Sequence, residues 1–417
     1  MGFTLVEKLL MKNTKLDQVI SGEIITVTAD RVMIHDLFAP FVIRKFHEMG
    51  FKKIWDLNKI IMIFDHMVPN ISAEDCEQHA IINKFILDSK IKHVHYSDGV
   101  CHQIMPEKRY VQPGNIVLGT DSHSTTYGSI GSFATGIGYT EMASVLGTGN
   151  LWIKTPRSIR VNIDGNLNKG VYSKDIILKI IGDIKSNGAT GAAIEFTGNT
   201  IKDMSISSRM TLSNMSVEAG AEAGLIAPDK KTYQFSGARE DDLSWLYSDK
   251  NAKYDKVLEY HAEVFEPMIA CPSTIDNVKA VSQIENIELE QCYLGSCTNG
   301  RLEDLRVAAS ILKGKKVFYK TRLLVCPASR YTYEKAAAQG ILDVLIQAGA
   351  TIHAPSCGLC CGRGGGMVGD YQRVLSSSNR NFLGRMGSKK SEIYIASPAT
   401  VAASAVAGKI VDPREYL

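Results

Sequence analysis

Nowhere in this chain do eighteen apolar residues follow one another, so no segment has the length of a membrane span. The longest candidate, "ASPATVAASAVAG" at 396–408, is short, built of small residues and reads as a buried helix. Charge of one sign is equally scarce. A net +3 over 417 residues gives no basic field, which sets aside nucleic acid and anionic membrane as partners. The opening "MGFTLVEKLL" lacks the charged-then-apolar layout of an export signal, and Val6 stands where a myristoylation pattern needs Ser or Thr. Nine cysteines, an odd number scattered along the chain, point to reduced thiols in the cytoplasm rather than to disulfides.

What is present is a globular balance, 45% hydrophobic and 22% charged, which argues against disorder. The length exceeds what one core usually supports, so two or three domains are expected. Strand-like apolar runs at 59–66, 115–123, 158–165, 192–198, 287–295, 322–326 and 391–397 alternate with helical patterns such as 72–90, opened by Ser72. A second helix is predicted over 173–188, opened by Ser173 and closed at Gly188. This is an α/β chain, and several of its strands are apolar nearly throughout, as strands buried on both faces are. The polar stretch 227–255 reads as a cap or link between a middle domain and a last one beginning near 284. The glycines of 128–138 follow no strand–turn–helix unit and do not read as a dinucleotide site.

Four polar clusters fall just after apolar runs: Asp65–His66, Asp121–Ser122–His123, Ser296–Cys297 and Ser356–Cys357. Ligands sit at the carboxyl ends of strands in open α/β sheets, so the four predict one shared site between domains. Cys357 and Cys360 form a C-x-x-C, and Cys297 lies sixty residues upstream. Spacing alone leaves three readings open. Three thiolates suit a four-iron cluster with one iron left free; zinc would have to recruit Cys361 or His353; or the cysteines hold no metal. Asp65–His66, His102 and Asp121–His123 add imidazoles beside carboxylates, the pairing that fixes a tautomer and tunes a proton donor. Arg380 and Arg385, among small residues at 376–387, favour a polycarboxylate ligand.

The motifs "FDHMVPN", "GVCHQIMPE", "GTDSHSTTYG", "GATGAAIEF", "GSCTNGRLEDLR", "CGLC" and "SSNRNFLGRMG" stand here in the order seen in the aconitase superfamily, which the chain resembles over essentially its whole length. Within it, the length and the final "VDPREYL" are similar to the large subunits of the 3-isopropylmalate dehydratase and homoaconitase group. The resemblance implies three α/β/α domains around a cleft, expected at 1–156, 157–283 and 284–417, without the swivelling fourth domain. It implies one [4Fe-4S] cluster held by Cys297, Cys357 and Cys360, with one iron not ligated by cysteine. Asp65 with His66 is expected to protonate the departing hydroxyl, Asp121 to orient His102, and Glu195 to orient His123, with Ser122 in the same motif. His35, Arg380 and Arg385 are expected at the substrate and Asn379 beside the cluster.

The reaction so implied is dehydration and rehydration of a 2-alkylmalate, 2-isopropylmalate first among them. Homocitrate, methyl- or dimethylmalate, or a specialised pathway acid are the near alternatives, and a cluster sensor that binds RNA or a zinc scaffold the remoter ones. The family's serine base lies on the absent domain, so a small subunit is the expected partner and the chain alone is expected to be inactive. The pattern is also departed from. Leu359-Cys360-Cys361 replaces a usual Pro-Cys-Leu, 362–367 is altered, Ser124 replaces Thr, 271–277 is changed, and 35–40 lacks the usual threonine.

Overall fold

The structure is a computed structural model that describes residues 2–239, 243 and 245–417. Besides an antiparallel ribbon of Ile24–Thr28 with Asn150–Lys154, three larger sheets succeed one another among the described residues. The first is five-stranded and wholly parallel, in the order His93–Tyr96, Ile60–Phe64, Arg31–His35, Ile116–Gly119, Phe133–Gly136. Ile60–Phe64 and Ile116–Gly119 are buried at every position, which is why they lack the polar alternation of a half-exposed strand. Connections run from Arg31–His35 to one side and then return to the other, so the strand order reverses between Arg31–His35 and Ile116–Gly119. A crevice opens at such a reversal, beyond the carboxyl ends of the strands.

The second sheet, also parallel, has the order Ala223–Leu225, Ala192–Thr197, Arg157–Asp164, Lys256–His261. The third has seven strands. Val278–Ala280 and Met268–Ala270 form its antiparallel edge, followed by Glu392–Ala396, Arg373–Ser376, Gln291–Leu294, Arg322–Val325 and Thr351–Ile352. Its order reverses between Gln291–Leu294 and Arg373–Ser376, the strands that run into Cys297 and into Asn379–Arg380. Both large sheets therefore bring an order reversal to the site.

Three expectations are revised. Residues 268–280 pair with the third sheet, so the sheets change before the boundary expected near 284. The stretch 227–255 does not lead into the last unit. It forms the helix Lys230–Ser236 and sends Leu243 and Leu246 into the first unit's core, and Lys256–His261 then rejoins the second sheet. Its residues 240–242 and 244 lie outside the described residues. The third revision concerns the helix Ser173–Ile184, whose N-cap is Tyr172. The Asp175 carboxylate accepts the Tyr172 amide at 2.8 Å, and the helix ends before Gly188, at Lys185 with φ 71°.

The other helices follow their patterns. Ala73–Ser89 is capped by Ser72, whose hydroxyl accepts from Asp75 N, and Pro398–Ala407 is buried and stopped by Gly408 at φ 73°. No helix among the described residues is long and apolar enough to cross a membrane. The glycine at 128 serves close approach rather than phosphate binding, since a Cβ there would stand 2.0 Å from the Gly224 carbonyl, where the segment Ser122–Ile130 meets the second sheet.

Candidate active site

Strand ends supply the acid–base groups. Beyond Ile60–Phe64, the buried Asp65 carboxylate holds His66 Nδ1 at 2.8 Å and accepts the Cys101 amide at 2.7 Å. Asp36, beyond Arg31–His35, accepts the amides of His66 and Met67, each at 2.9 Å, and so fixes the backbone that carries the imidazole. His35 stacks on His66 with centroids 4.2 Å apart, and neither of its ring nitrogens has a protein partner. Asp121 caps the 3-10 segment Ser122–Ile130 and is the hub of the site. Its carboxylate meets His102 Nε2 at 2.8 Å, His123 Nδ1 at 3.2 Å and His66 Nε2 at 3.6 Å.

Charge is distributed unequally across these groups. Burial opposes the charge on Asp121, but His102, His123 and His66 around it hold its carboxyl well below the usual range. Burial also opposes protonation of His66, yet Asp65 and Asp121 outweigh it and raise that imidazole well above its ordinary value. Burial, aided by the charge of His66, drags His35 down to about 4. The two stacked imidazoles are thus pushed in opposite directions, His66 toward its cationic form and His35 toward its neutral one.

The third sheet brings the thiols. Cys297 follows Gln291–Leu294, and its Sγ accepts Asn214 Nδ2 at 3.2 Å. Cys357 precedes and Cys360 lies within a 3-10 turn, Gly358–Cys361, in which Gly358 has φ 62° and a Cβ would lie 2.3 Å from the Tyr293 hydroxyl. The Cys357 amide donates to the Asp65 carbonyl at 2.9 Å, tying the turn to the strand end that carries His66. Asn379 Oδ1 lies 3.7 Å from Cys297 Sγ and 3.6 Å from Cys360 Sγ, beside a hydrogen bond from Ser296 at 2.6 Å. All nine cysteines are free, and the three thiols share one buried cluster with Ile61, Ile63 and Met33 of the first sheet.

This donor set fits a thiolate-ligated iron–sulfur group. Its three sulfurs belong to no disulfide, and Cys297 Sγ also lies within 4.8 Å of ring nitrogens of His102 and His123. Burial pushes the Cys297 thiol up to about 12, so its thiolate needs a compensating positive charge. Beside these groups lies a cavity of about 380 Å³. His35, His66, Asp121, Ser122, Cys361, Arg380 and Arg385 line it, with Leu37, Phe38 and Ile137 as an apolar wall. Arg380 Nη2 donates to Ser122 Oγ at 3.0 Å, and the buried Arg385 Nε has no partner.

One expected contact is not made. Glu195 sits mid-strand in Ala192–Thr197 and turns away from His123, accepting the hydroxyls of Ser248 at 2.7 Å and Tyr254 at 3.1 Å. Strand alternation decides this, because Ile194 and Phe196 occupy the core face and Glu195 takes the opposite one. The partner of His123 is Glu218, whose Oε1 lies 2.7 Å from both His123 Nε2 and Arg380 Nε. Glu218 and Asn214 were both missed. Their spacing of four within "NMSVEAG", at and just past the end of helix Ile206–Met215, was the available signal, since it sets two polar groups on one face of an otherwise buried segment. Glu195→Gln is accordingly expected to leave kcat/KM within about twofold of wild type, a shift of under ~0.5 kcal/mol, in a steady-state assay.

The aconitase family model, described as aconitate hydratase, matches residues 7–286 and 277–408. Among curated relatives, a 3-isopropylmalate dehydratase large subunit of Methanopyrus kandleri is 45% identical over 419 residues, covering 100% of both chains. One from Methanoregula boonei is 44% identical and one from Halothermothrix orenii 41%, again over the full length of both chains. Among solved structures, the holo-form of Thermococcus kodakaraensis aconitase X superposes with a TM-score of 0.51 at 12% identity, covering 90% of this chain and 89% of that one.

Proposed function

The chain belongs to the aconitase family, and on that premise we propose that it is the large subunit of a hydro-lyase that converts 2-isopropylmalate to 3-isopropylmalate by dehydration and rehydration. The observation that carries the reading is a cavity lined by His35, His66, Asp121, Arg380 and Arg385, with Cys297 Sγ within 4.8 Å of the ring nitrogens of His102 and His123, the two imidazoles that Asp121 holds. The family implies a [4Fe-4S] cluster. Cys297, Cys357 and Cys360 would hold it, leaving one iron without a cysteine, and when bound it supplies Lewis acidity toward the departing hydroxyl.

The chain's own residues do the rest. Arg380 and Arg385 bind the substrate carboxylates through guanidinium forks, and Glu218 aligns Arg380 while holding His123. His66, held by Asp65, gives its proton to the leaving hydroxyl, which departs as water. The carbon-bound proton passes to a serine carried by a small subunit, consistent with the "large subunit" names of the relatives. Readdition of water in the opposite sense moves the hydroxyl to the neighbouring carbon, with no net redox change. His35, neutral and stacked on His66, contacts the substrate, and Leu37, Phe38 and Ile137 exclude water beside its alkyl branch.

An anaerobic assay tests this. The chain, loaded with iron and sulfide, is offered 2-isopropylmalate, homocitrate, citrate and dimethylmalate, with and without a small subunit, while ultraviolet absorbance follows the enoic intermediate. Turnover of 2-isopropylmalate only when both chains and iron are present is the expected result. Zinc in place of iron and sulfide after reconstitution would overturn it.

A further inference from the structure

Lys174 is buried completely, in the first turn of helix Ser173–Ile184, where the helix dipole itself disfavours a cation. Its ammonium donates to the Ser378 carbonyl at 2.8 Å, the Ser377 carbonyl at 3.0 Å and the Met215 sulfur at 3.2 Å. All three acceptors are neutral, and no salt bridge to Lys174 occurs among the described residues. The adjacent Asp175 directs its carboxylate to the amides of Tyr172 and Met268 instead. Arg301, a second buried cation beside Cys297, differs in kind, because its guanidinium fork spreads its charge over the Cys297 and Thr298 carbonyls and the Gln103 amide oxygen. A buried ammonium without an anion is costly, and burial drags Lys174 down to about 7. The negative groups nearest it in effect are Cys297, Asp304 and Cys360, and two of these are thiols that carry charge only as thiolates.

We propose that Lys174 is the built-in counter-ion of the cysteine centre, a buried positive charge whose cost in the empty chain is recovered when the thiolates bind their iron–sulfur group. The inference rests on the reading of Cys297, Cys357 and Cys360 given above. Lys174 acts through position: it bridges the second unit to the backbone of Ser377 and Ser378, directly before Asn379 and Arg380, and touches neither substrate nor sulfur ligand.

Two variants separate the charge from the hydrogen bonds. K174Q keeps two N–H donors for the Ser377 and Ser378 carbonyls and loses the charge; K174M loses both. Thermal unfolding of the metal-free chains and release of iron to a chelator from the reconstituted ones are measured for both variants and wild type. In the metal-free state K174Q is expected to be at least as stable as wild type, because it no longer buries an unpaired charge. Once loaded, it is expected to lose iron about tenfold faster, the usual scale for a group supporting a metal's ligands. A residue that merely props the fold would weaken both states alike. Equal destabilisation of empty and loaded chains, failure of both variants to fold, or wild-type iron retention in K174Q would each overturn the proposal. If wild-type protein itself takes up no iron and sulfide, the reading of the cysteine centre falls first, and this inference with it.

Discussion

Serine at Cys297, Cys357 or Cys360 is expected to abolish retention of iron and sulfide and to lower turnover by about 10³-fold or more. Cys297 and Cys360 stand 3.7 and 3.6 Å from Asn379 Oδ1, Cys357 opens the turn that carries Cys360, and ring nitrogens of His102 and His123 lie within 4.8 Å of Cys297 Sγ. Losing the Lewis acid forfeits several kcal/mol of stabilisation on the departing hydroxyl, and each ~1.4 kcal/mol is a factor of ten in rate. The comparison that gives the experiment its force is Cys361→Ser. Cys361 lines the cavity beside His66, and its Sγ donates to the Gly358 carbonyl at 3.5 Å and lies against the Cys357 thiol. That variant is expected to keep full iron and sulfide content by elemental assay, with activity within about twofold of wild type, as for a substitution that breaks no bond in the chemistry. Loss of the cluster in Cys361→Ser would instead make Cys361 a ligand and force a new assignment among the three neighbouring thiols.

Glu218→Gln is expected to lower kcat by about 10²-fold in the reconstituted two-chain enzyme, within the range of a disrupted proton-handling group. Glu218 Oε1 receives both His123 and Arg380, so an amide oxygen in its place can accept both bonds but lacks the negative charge that holds the imidazole and the guanidinium. Burial opposes the Glu218 charge, but His123 and Arg380 hold its carboxyl below the usual range, and the ionised form is the one the site is built around. KM is expected to rise as well, because Arg380 loses the partner that aligns it on Ser122 and the cavity. Steady-state kinetics of Glu218→Gln beside Glu195→Gln decides between the two carboxylates. Equal losses in both, or a loss in Glu195→Gln alone, would overturn the assignment made from the structure.

Glu195 and Glu218 also mark where reading the chain stops working. Both belong to short polar interruptions of buried segments, and each was a reasonable partner for His123. Strand-end residues were different. Asp65–His66 and Asp121 were legible because an apolar run of strand length, followed at once by paired polar residues, already states where the strand ends and what stands there. The same holds for Ser72, whose capping role depends on a few neighbouring residues. Attributing a cap to Ser173 failed for a local reason too, since Asp175, three positions past Tyr172, reaches back to that residue's amide.

Hydrophobic periodicity, strand ends and the ordered motifs by themselves determined the α/β class, the strand-end places of Asp65–His66 and Asp121, and the family to which the chain belongs. Tertiary structure alone decided that 268–280 joins the third sheet, that His123 meets Glu218, and that Lys174 meets the Ser377 carbonyl. The physical reason is range. Burial patterns and caps are set within a turn or a strand, whereas His123 and Glu218 are 95 residues apart and Lys174 and Ser377 are 203 apart. Such pairs meet only after separate sheets have packed, and no period in the sequence encodes which buried charge will find which partner.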